Sequence, residues 1–426
     1  HFCWNQCTYN YRPISLVPVL SKVFESVMLR QLSNYFEDNK LLYAQQYGFR
    51  SGKSTTLAIE RLVNWILDAF EEGQSAAICM CDLSKAFDCL PHDILMNKLM
   101  FYGIKGKELA LMKSYLTARK QTVELNGRMS SLQPVTVGVP QGSILGPFLF
   151  IISVNDLHAV TPEKVVIYAD DTTVLKTFRN NLNFEPTLNS LSEWFSSNGL
   201  SLNLSKTQTF IFSLCNDGDS ESTAKLLGFH LDSKLSWKHH TNFVSKKLCK
   251  AMFLLRRLKK LIPNNALLNA YYGLFHSHLN YGIMLWGNCA SAKDVFHLQK
   301  KAVRVIMGCH PREHCRPLFQ ELGILTVASL YIFTNLVYMF SHYDERDSFS
   351  GLHTHDTRNN RDLVVPRHRL AKTSNSHIVM SIKLFNKLPR DIRDIRNINA
   401  FKNKVKTILL NNSFYTVQVF LDFNLH

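Results

Sequence analysis

The chain has 426 residues, of which 46% are hydrophobic, so we expect a folded protein of two or three parts with real cores. Its net charge of +16 arises entirely in the second half, because residues 1–224 carry −2 and residues 225–426 carry +18. No uncharged apolar run reaches the roughly 18 residues of a membrane span, and the nearest, residues 327–340, predicts a buried helix.

The chain begins with His1-Phe2-Cys3-Trp4, which is neither an initiator methionine nor a secretory signal. We therefore expect the start to be a cut through a longer reading frame. Ten cysteines occur without a repeated paired spacing, and some lie inside apolar runs, which favours a reducing compartment. These features predict an intracellular protein of the cytoplasm or nucleus that is not secreted.

From Tyr11 to about Phe212, strand-like apolar runs alternate with helical patterns, which predicts a mixed α/β domain. The pattern predicts helices over residues 22–36, over residues 55–70, between Pro91 and Gly103, and over residues 184–197. An apolar run at residues 76–81 predicts a buried strand that ends at Asp82, and residues 165–175 predict two short strands. Asp170 and Asp171 lie at the turn between those two strands.

Beyond this region, residues 215–223 predict a loop, and residues 241–262 predict a helix with one apolar face and many basic residues elsewhere. Residues 341–361 form a second polar break. A carboxylate-rich first half joined to a basic second half suits an enzyme that holds metal ions in one region and grips a polyanion with another. A generic basic surface is the alternative.

The acidic residues at the strand ends carry the strongest chemical signal. Adjacent carboxylates repel each other, and a third one nearby favours divalent cations between them. Magnesium commonly combines one or two carboxylates with substrate phosphates, which indicates phosphoryl transfer. An isolated Asp-Asp pair is more often ordinary turn chemistry. Here the pair follows the apolar run at residues 165–167 and precedes Thr-Thr-Val-Leu, which is a hairpin pattern.

Three segments then resemble reverse transcriptases, the polymerases that copy RNA into DNA. They are Tyr-Ala-Asp-Asp at residues 168–171, Cys-Asp-Leu-Ser-Lys-Ala-Phe-Asp at residues 81–88, and Gly-Val-Pro-Gln-Gly-Ser-Ile-Leu-Gly-Pro at residues 138–147. Their order and spacing also fit. Segments at residues 10–16 and 46–55 resemble the non-LTR retrotransposon group, of the jockey and LINE type.

The resemblance implies an α+β right-hand polymerase fold. Its fingers segment would span residues 1–75, and its palm, an antiparallel sheet backed by helices, would span residues 76–240 and end in a primer-grip hairpin. A basic helical thumb and connection would follow at residues 241–340, and a basic helical C-terminal region at residues 341–426.

The resemblance also implies roles for individual residues. Asp82, Asp170 and Asp171, with the backbone of Leu83, would hold two Mg²⁺ ions, for which Mn²⁺ could substitute. Phe87 would lie beneath the sugar and exclude a ribose 2′-hydroxyl, and Gln141 and Gly142 would face the incoming nucleotide. Lys206 would protonate the departing pyrophosphate, although it could also be an ordinary exposed lysine. Asp88 would orient its turn through hydrogen bonds to its own backbone.

The segment at residues 46–55 superficially suggests a P-loop. Only three residues separate Gly48 from Gly52, where a P-loop needs four, so we reject an NTPase. The resemblance makes Arg50 and Lys53 candidates for binding the triphosphate, and the alternative is a loop before a capped helix. Arg12 would contact the template.

The resemblance makes the basic helix after the palm the thumb, where it would track the phosphates of a template-primer duplex. Its candidate residues are Lys246, Lys247, Lys250, Arg256, Arg257, Lys259 and Lys260. A basic amphipathic helix could instead lie on a membrane or a partner protein. The expected partners are an RNA template, a DNA primer, their RNA-DNA hybrid and deoxynucleoside triphosphates, without a membrane.

Two further alternatives concern the protein as a whole. It could be a nucleic-acid-binding relic that keeps the fold without turnover, or a maturase-like protein that stabilises folded RNA. Cys309, His310, His314 and Cys315 lack a regular zinc spacing, so we expect no metal there.

Overall fold

The computed structural model describes residues 14–215, 222–346 and 362–425. The chain divides into two compact units, and we describe each by itself. The first unit comprises His1–Trp65 and Ser75–Ile211, and the second comprises Ile66–Gln74 and Phe212–His426.

A four-stranded sheet forms the centre of the first unit. Its strands are β1 (Ser75–Cys81), β6 (Lys164–Tyr168), β7 (Asp171–Phe178) and β8 (Gln208–Phe212). They lie side by side in the order β6-β7-β1-β8. Strand β7 pairs antiparallel with both β1 and β6. The central strand β1 is an almost continuous apolar run, as expected for a strand that is covered on both faces. Four short strands form two exposed pairs: β2 (Lys120–Gln121), β3 (Glu124–Leu125), β4 (Arg128–Met129) and β5 (Gln133–Pro134).

Helices surround this sheet. They are α1 (Val19–Asp38), α2 (Thr55–Glu71), α3 (His92–Phe101), α4 (Gly106–Leu116), α5 (Gly146–Ser153) and α6 (Glu185–Ser197), with 3₁₀ turns at Ala86–Asp88 and Leu157–Val160. Helix α5 is apolar all round and is buried along its length, so it lies at the centre of the core. Phe150 joins the core cluster that contains β1 and Phe195 of α6, whereas Phe148 joins the cluster of α1, α3 and α4.

Where the described residues resume after residue 215, the second unit continues with a hairpin, β9 (Thr223–Leu226) and β10 (Phe229–Asp232), whose turn places Leu227 and Gly228 at positive φ. The buried Asp232 carboxylate ends the hairpin and accepts hydrogen bonds from the backbone N–H groups of Lys234, Ser236 and Trp237. These hydrogen bonds hold the turn that leads into the basic helix α7 (Lys238–Leu258).

The rest of the second unit is helical. Its further helices are α8 (Asn264–Tyr271), α9 (Ser277–Asn280), α10 (Ile283–Trp286), α11 (Ala292–Met307), α12 (Cys315–Glu321), α13 (Val327–Ser341), α14 (Ala371–Ser374), α15 (His377–Lys387), α16 (Arg390–Arg393), α17 (Ile398–Asn412) and α18 (Val417–Asp422), with a π-helical segment at Tyr272–His276 and a 3₁₀ turn at Tyr343–Glu345. Helix α13 is largely buried. Among the described residues, no helix is both long and apolar enough to span a membrane.

The predicted mixture of helices and an antiparallel sheet is confirmed. The predicted helices and strands are present, with ends that differ by a few residues; the basic helix, for example, runs from Lys238 to Leu258 rather than over 241–262. Of the two predicted polar breaks, residues 216–221 and 347–361 lie outside the described residues. The boundaries between fingers, palm, thumb and C-terminal region stay a prediction.

His240 is buried at the first turn of α7, where its ring stacks on Phe229 at 5.1 Å. Its Nδ1 accepts a hydrogen bond from the backbone N–H of His230. Burial, with smaller contributions from the charges of His230 and Lys247, lowers the pKa of His240 from its ordinary value of 6.5 to about 4. The ring is therefore neutral in the folded protein near pH 7.

This pKa predicts a pH-dependent stability. Between pH 6.5 and 4 the unfolded His240 binds a proton that the folded residue does not, so its contribution is complete above pH 6.5 and is lost as the pH falls. In urea unfolding, His240→Gln should remove about 2 kcal/mol of the stability difference between pH 7 and pH 5. His297→Gln, at an exposed position, is the control. An unchanged pH dependence in His240→Gln would contradict the prediction.

Candidate functional site

The turn between β6 and β7 carries the adjacent acids. Tyr168 pairs with Asp171 across the hairpin, so Ala169 and Asp170 form a two-residue turn. Ala169 has a φ of +57°, the left-handed conformation that such tight turns require. Asp170 is partly exposed, and the Asp171 residue is exposed.

Asp82 directly follows strand β1, which brings it to the same end of the sheet as this turn. Cys81 pairs with Thr172 of β7, and continuing this register by one residue places Asp82 opposite Asp171. Directly opposed residues of antiparallel strands lie on the same face of a sheet. The backbone register therefore places Asp82, which is far from the other two acids in the sequence, at the same end of the sheet as Asp170 and Asp171.

The residues after Asp82 are held by a second strand-like contact. Asn203 donates its backbone N–H to the carbonyl oxygen of Asp82 at 2.8 Å, and Ser84 donates to Ser201 at 3.0 Å. This pairing places Lys206 near the acids, with its Nζ 3.5 Å from Oδ2 of Asp82. Both side chains are well exposed, so water screens this ion pair.

Residues 45–48 lie along β6 and contact the turn at Ala169 and Asp170. Tyr47 donates its N–H to the carbonyl of Ile167, and Ile167 donates to the carbonyl of Gln45, as in a parallel bridge. The buried Gln46 accepts from the N–H of Ala169 at 3.2 Å. Gly48 packs so closely that an added Cβ would lie 2.3 Å from the Ala169 nitrogen.

Arg50 and Lys53 are placed differently from each other. The Arg50 guanidinium makes two hydrogen bonds to the carboxylate of Glu37, at 2.8 and 2.6 Å, and its side chain is only 9% exposed. The hydrogen bond and charge of Arg50 hold the pKa of Glu37 below its ordinary value. Lys53 is exposed and lies over the ring of Tyr47. In this structure Arg50 therefore anchors a loop, and its predicted role at the triphosphate stays a prediction.

The loop at residues 138–147 is fixed to the segment that follows β1. Gly138 has a φ of +82°, and a Cβ there would lie 2.6 Å from the Asp88 carbonyl oxygen, so only glycine fits. Gln141 donates its amide to the Asp88 carboxylate at 2.8 Å. Asp88 thus orients the loop opposite it, where we expected it to bond its own backbone.

Glu25 of α1 supports the same loop from the other side. Its carboxylate is buried and accepts the backbone N–H groups of Ile144 and Leu145, at 2.6 and 3.2 Å. These N–H groups precede α5, so Glu25 satisfies donors that the helix start leaves open. Gly142, which precedes these residues in the same loop, has a φ of +108°.

Phe87 packs on Phe150 with ring centroids 4.5 Å apart and is only partly buried. It lines a cleft of about 740 Å³ in the first unit. The predicted site residues that also line this cleft are Leu83, Gln141, Gly142, Asp170 and Lys206. Arg50, Lys53, Asp82 and Asp171 are not among its lining residues, although Asp82 reaches it through Lys206.

The end of the sheet that carries Asp82, Asp170 and Asp171 offers carboxylate oxygens, which are ligands of the kind that Mg²⁺ prefers. Within the part of the chain that the structure describes, no group of three or more His, Cys, Asp or Glu side chains is spaced to hold a metal ion by itself. One or two carboxylates that share an ion with substrate phosphates fit this arrangement better than a three-carboxylate cage. The residues Cys309, His310, His314 and Cys315 lie within the described part and form no such group either.

The basic residues of α7 are mostly exposed. Lys246, Lys247, Lys250, Arg256 and Arg257 are exposed, as is Lys260 just beyond the helix. Lys259 differs, because its Nζ donates to the side chain of Asn264 and to the carbonyl of Ile306, at 2.6 and 2.7 Å. Arg12 lies outside the described residues.

Two positioning residues were missed by the sequence analysis. Gln46 and Glu25 are polar residues that are buried far along the chain from the groups they contact. A helical pattern gave one hint for Glu25, because it lies on the apolar face of α1 together with Met28 and Leu32. No comparable signal marked Gln46.

Residues 5–231 match the family described as "Reverse transcriptase (RNA-dependent DNA polymerase)". The chain is 30% identical over 355 residues to a "Probable RNA-directed DNA polymerase from transposon BS" of Drosophila melanogaster, covering 75% of this chain and 38% of that protein. It is 29% identical over 346 residues to the "RNA-directed DNA polymerase from mobile element jockey" of the same species, covering 74% and 37%. The chain thus spans less than two fifths of the length of these relatives.

Among solved structures, telomerase from Candida tropicalis in complex with a fragment of telomeric RNA shows a distant likeness. The TM-score is 0.43 at 12% sequence identity, with 95% of this chain and 56% of that chain covered.

The contact between Gly48 and the turn leads to a test of stability. In Gly48→Ala the new Cβ would clash with the Ala169 backbone, so we expect a loss of about 1–3 kcal/mol in the free energy of unfolding of the first unit. Thermal unfolding would measure it. Gly273→Ala is the matched control, because an added Cβ there meets no heavy atom within 4 Å. Equal unfolding temperatures for Gly48→Ala and the unaltered protein would refute the close contact.

Proposed function

The chain belongs to the reverse transcriptase family, and from this premise we propose that it is an RNA-directed DNA polymerase of a non-LTR retrotransposon. It would extend a primer 3′-hydroxyl with deoxynucleoside triphosphates on an RNA template. The relatives named for BS and jockey transposons support this assignment.

The observation that carries the proposal is the strand register at the sheet edge. When the register of β1 with β7 is extended by one residue beyond Cys81, Asp82 lies opposite Asp171. Asp170 occupies the adjoining turn. Asp170 lines the cleft together with Phe87 and Gln141, so this carboxylate faces an open space in which a substrate can lie.

Reverse transcriptase domains generally use divalent metal ions. We propose that Asp82, Asp170 and Asp171, with the backbone of Leu83, would hold two Mg²⁺ or Mn²⁺ ions, which would activate the attacking hydroxyl and stabilise the departing oxygen. The chain itself supplies the fixed positions of these carboxylates, because each of them lies at or beside a strand end of one sheet.

The cleft residues would orient the nucleotide. Phe87 rests on the buried Phe150, so its ring cannot retreat into the core, and a ribose 2′-hydroxyl above it would clash. Gln141 is held by Asp88, and Gln141 and Gly142 both line the cleft that would receive the nucleotide. Lys206, at the cleft and near Asp82, would donate a proton to the departing pyrophosphate.

Nucleic acid is the partner that the charge distribution supports. The exposed cations of α7 can neutralise backbone phosphates without reading bases, as expected for an RNA-DNA hybrid. Lys53 remains the better-placed triphosphate ligand of the predicted pair, because it is exposed whereas Arg50 is held by Glu37. An intracellular location stays a prediction.

Primer extension on poly-rA with oligo-dT tests the proposal. We expect Mg²⁺-dependent extension by the unaltered chain. In Asp170→Asn the rate should fall by about 100-fold or more, because a carboxylate ligand of the metal ions is removed. Asp93→Asn, an exposed acid in the first turn of α3, is the control. A chain that binds the hybrid but never extends it would be a relic, and full-rate extension by Asp170→Asn would refute the metal site.

Discrimination between sugars tests Phe87. In Phe87→Ala the steric barrier to a 2′-hydroxyl is removed, so ribonucleotide incorporation relative to deoxynucleotide incorporation should rise at least about tenfold. Single-nucleotide extension assays would give the ratio. Phe253→Ala removes an exposed ring from α7 and serves as the control. An unchanged ratio would remove Phe87 from the sugar site.

Salt dependence tests the basic helix. A plot of log affinity against log salt has a negative slope. If Lys246 and Lys250 each neutralise one phosphate, the double alanine variant should make this slope shallower by about 2. Fluorescence anisotropy with a labelled RNA-DNA hybrid would measure the slope. Replacing Lys105 and Lys107, two exposed lysines of the first unit, makes the same change in charge and should leave the slope nearly unaltered. Equal slopes for both double variants would argue against binding at α7.

A further inference from the structure

We propose that Gln46 is a positioning residue for the carboxylates, which sets the direction of Asp170 through the backbone of Ala169. This inference rests on the proposed function, because it treats the turn at Ala169 and Asp170 as part of a metal-binding edge. Gln46 itself does not line the cleft.

The side chain of Gln46 is 1% exposed, and its Oε1 accepts two backbone hydrogen bonds. One comes from the N–H of Gly48 at 2.9 Å, and the other comes from the N–H of Ala169 at 3.2 Å. Both partners are donors, so only the amide oxygen can face them and the orientation of the amide is determined.

The hydrogen bond to Ala169 acts at a sensitive point of the backbone. It fixes the plane of the peptide between Tyr168 and Ala169, and Ala169 has the left-handed φ of +57° that a residue with a side chain seldom adopts. The Cα–Cβ direction of Asp170 follows from this geometry. A turn without this acceptor would have a buried N–H without a partner and could relax toward other conformations.

The Nε2 of Gln46 supports a dedicated role. It is buried and makes no hydrogen bond to any residue that the structure describes. A buried polar group without a partner is unfavourable, so the free Nε2 is a cost that comes with an oxygen placed to accept both backbone N–H groups. The contact to the turn accounts for a glutamine at this position.

The second unit offers a matched control. Gln299 is also fully buried, its Oε1 accepts the backbone N–H of Val327 at 2.9 Å, and its Nε2 donates to Leu325 and Tyr271. A change of Gln299 to leucine therefore removes the same kind of buried amide, far along the chain from the acids.

The experiment compares Gln46→Leu with Gln299→Leu by three measurements. Hydrogen–deuterium exchange would report on the Ala169 and Val327 amides, Mn²⁺ electron paramagnetic resonance would give metal affinity without substrate, and primer extension would give the Mg²⁺ concentration at half-maximal rate. For Gln46→Leu we expect exchange at Ala169 to be at least tenfold faster. The Mn²⁺ concentration at half saturation and the Mg²⁺ concentration at half-maximal extension rate should each be at least tenfold higher.

For Gln299→Leu we expect faster exchange at Val327 alone, with metal affinity within twofold of the unaltered chain. Gln46→Glu keeps an oxygen that can accept both N–H groups, and we expect it to hold exchange at Ala169 within threefold. This variant also decides the question if Gln46→Leu does not fold, because fast exchange at Ala169 in Gln46→Glu would then overturn the proposal.

Two outcomes separate this inference from the function on which it rests. If Gln46→Leu unfolds at a lower temperature but binds Mn²⁺ as the unaltered chain does, Gln46 is merely structural and the inference fails. If the unaltered chain extends no primer, the polymerase function fails, whereas exchange at Ala169 and Mn²⁺ affinity still decide the role of Gln46.

Discussion

The site depends on one constraint, the pairing of residues 45–48 with the edge strand β6. Through it a segment that lies 27 to 30 residues before the start of β1 contacts the turn that carries Asp170. A two-residue turn with an alanine at positive φ is unfavourable in isolation, and the close packing of Gly48 together with the amide of Gln46 holds it in place. The register of β7 then relates this turn to Asp82.

Much of the fold could be predicted because its signals are local. The apolar run before Asp82, the alternation around residues 168–171 and the proline before α3 each predict an element from its own residues. The joint role of Asp82, Asp170 and Asp171 stays a prediction from their motifs, and the register of β1 with β7 shows only that their backbones lie at one end of the sheet.

The rest could not be predicted, because burial of a polar side chain depends on partners that are distant in the sequence. Arg50 was expected at a triphosphate, and its ion pair with Glu37 is invisible to a local pattern. Lys259 carries the same composition signal as Lys260, yet it donates to Ile306 of α11. Composition identified the basic helix, and tertiary contacts decide which of its cations are available.

The buried carboxylate of Glu25 has a consequence for how the chain reaches its native state. Its backbone partners at Ile144 and Leu145 lie about 120 positions later, so α1 leaves the ribosome long before they are synthesised. Until then a charged side chain on the apolar face of α1 stays in water and opposes premature collapse of that face. Glu25 therefore acquires its native hydrogen bonds only when a long loop closes, after both segments have been made.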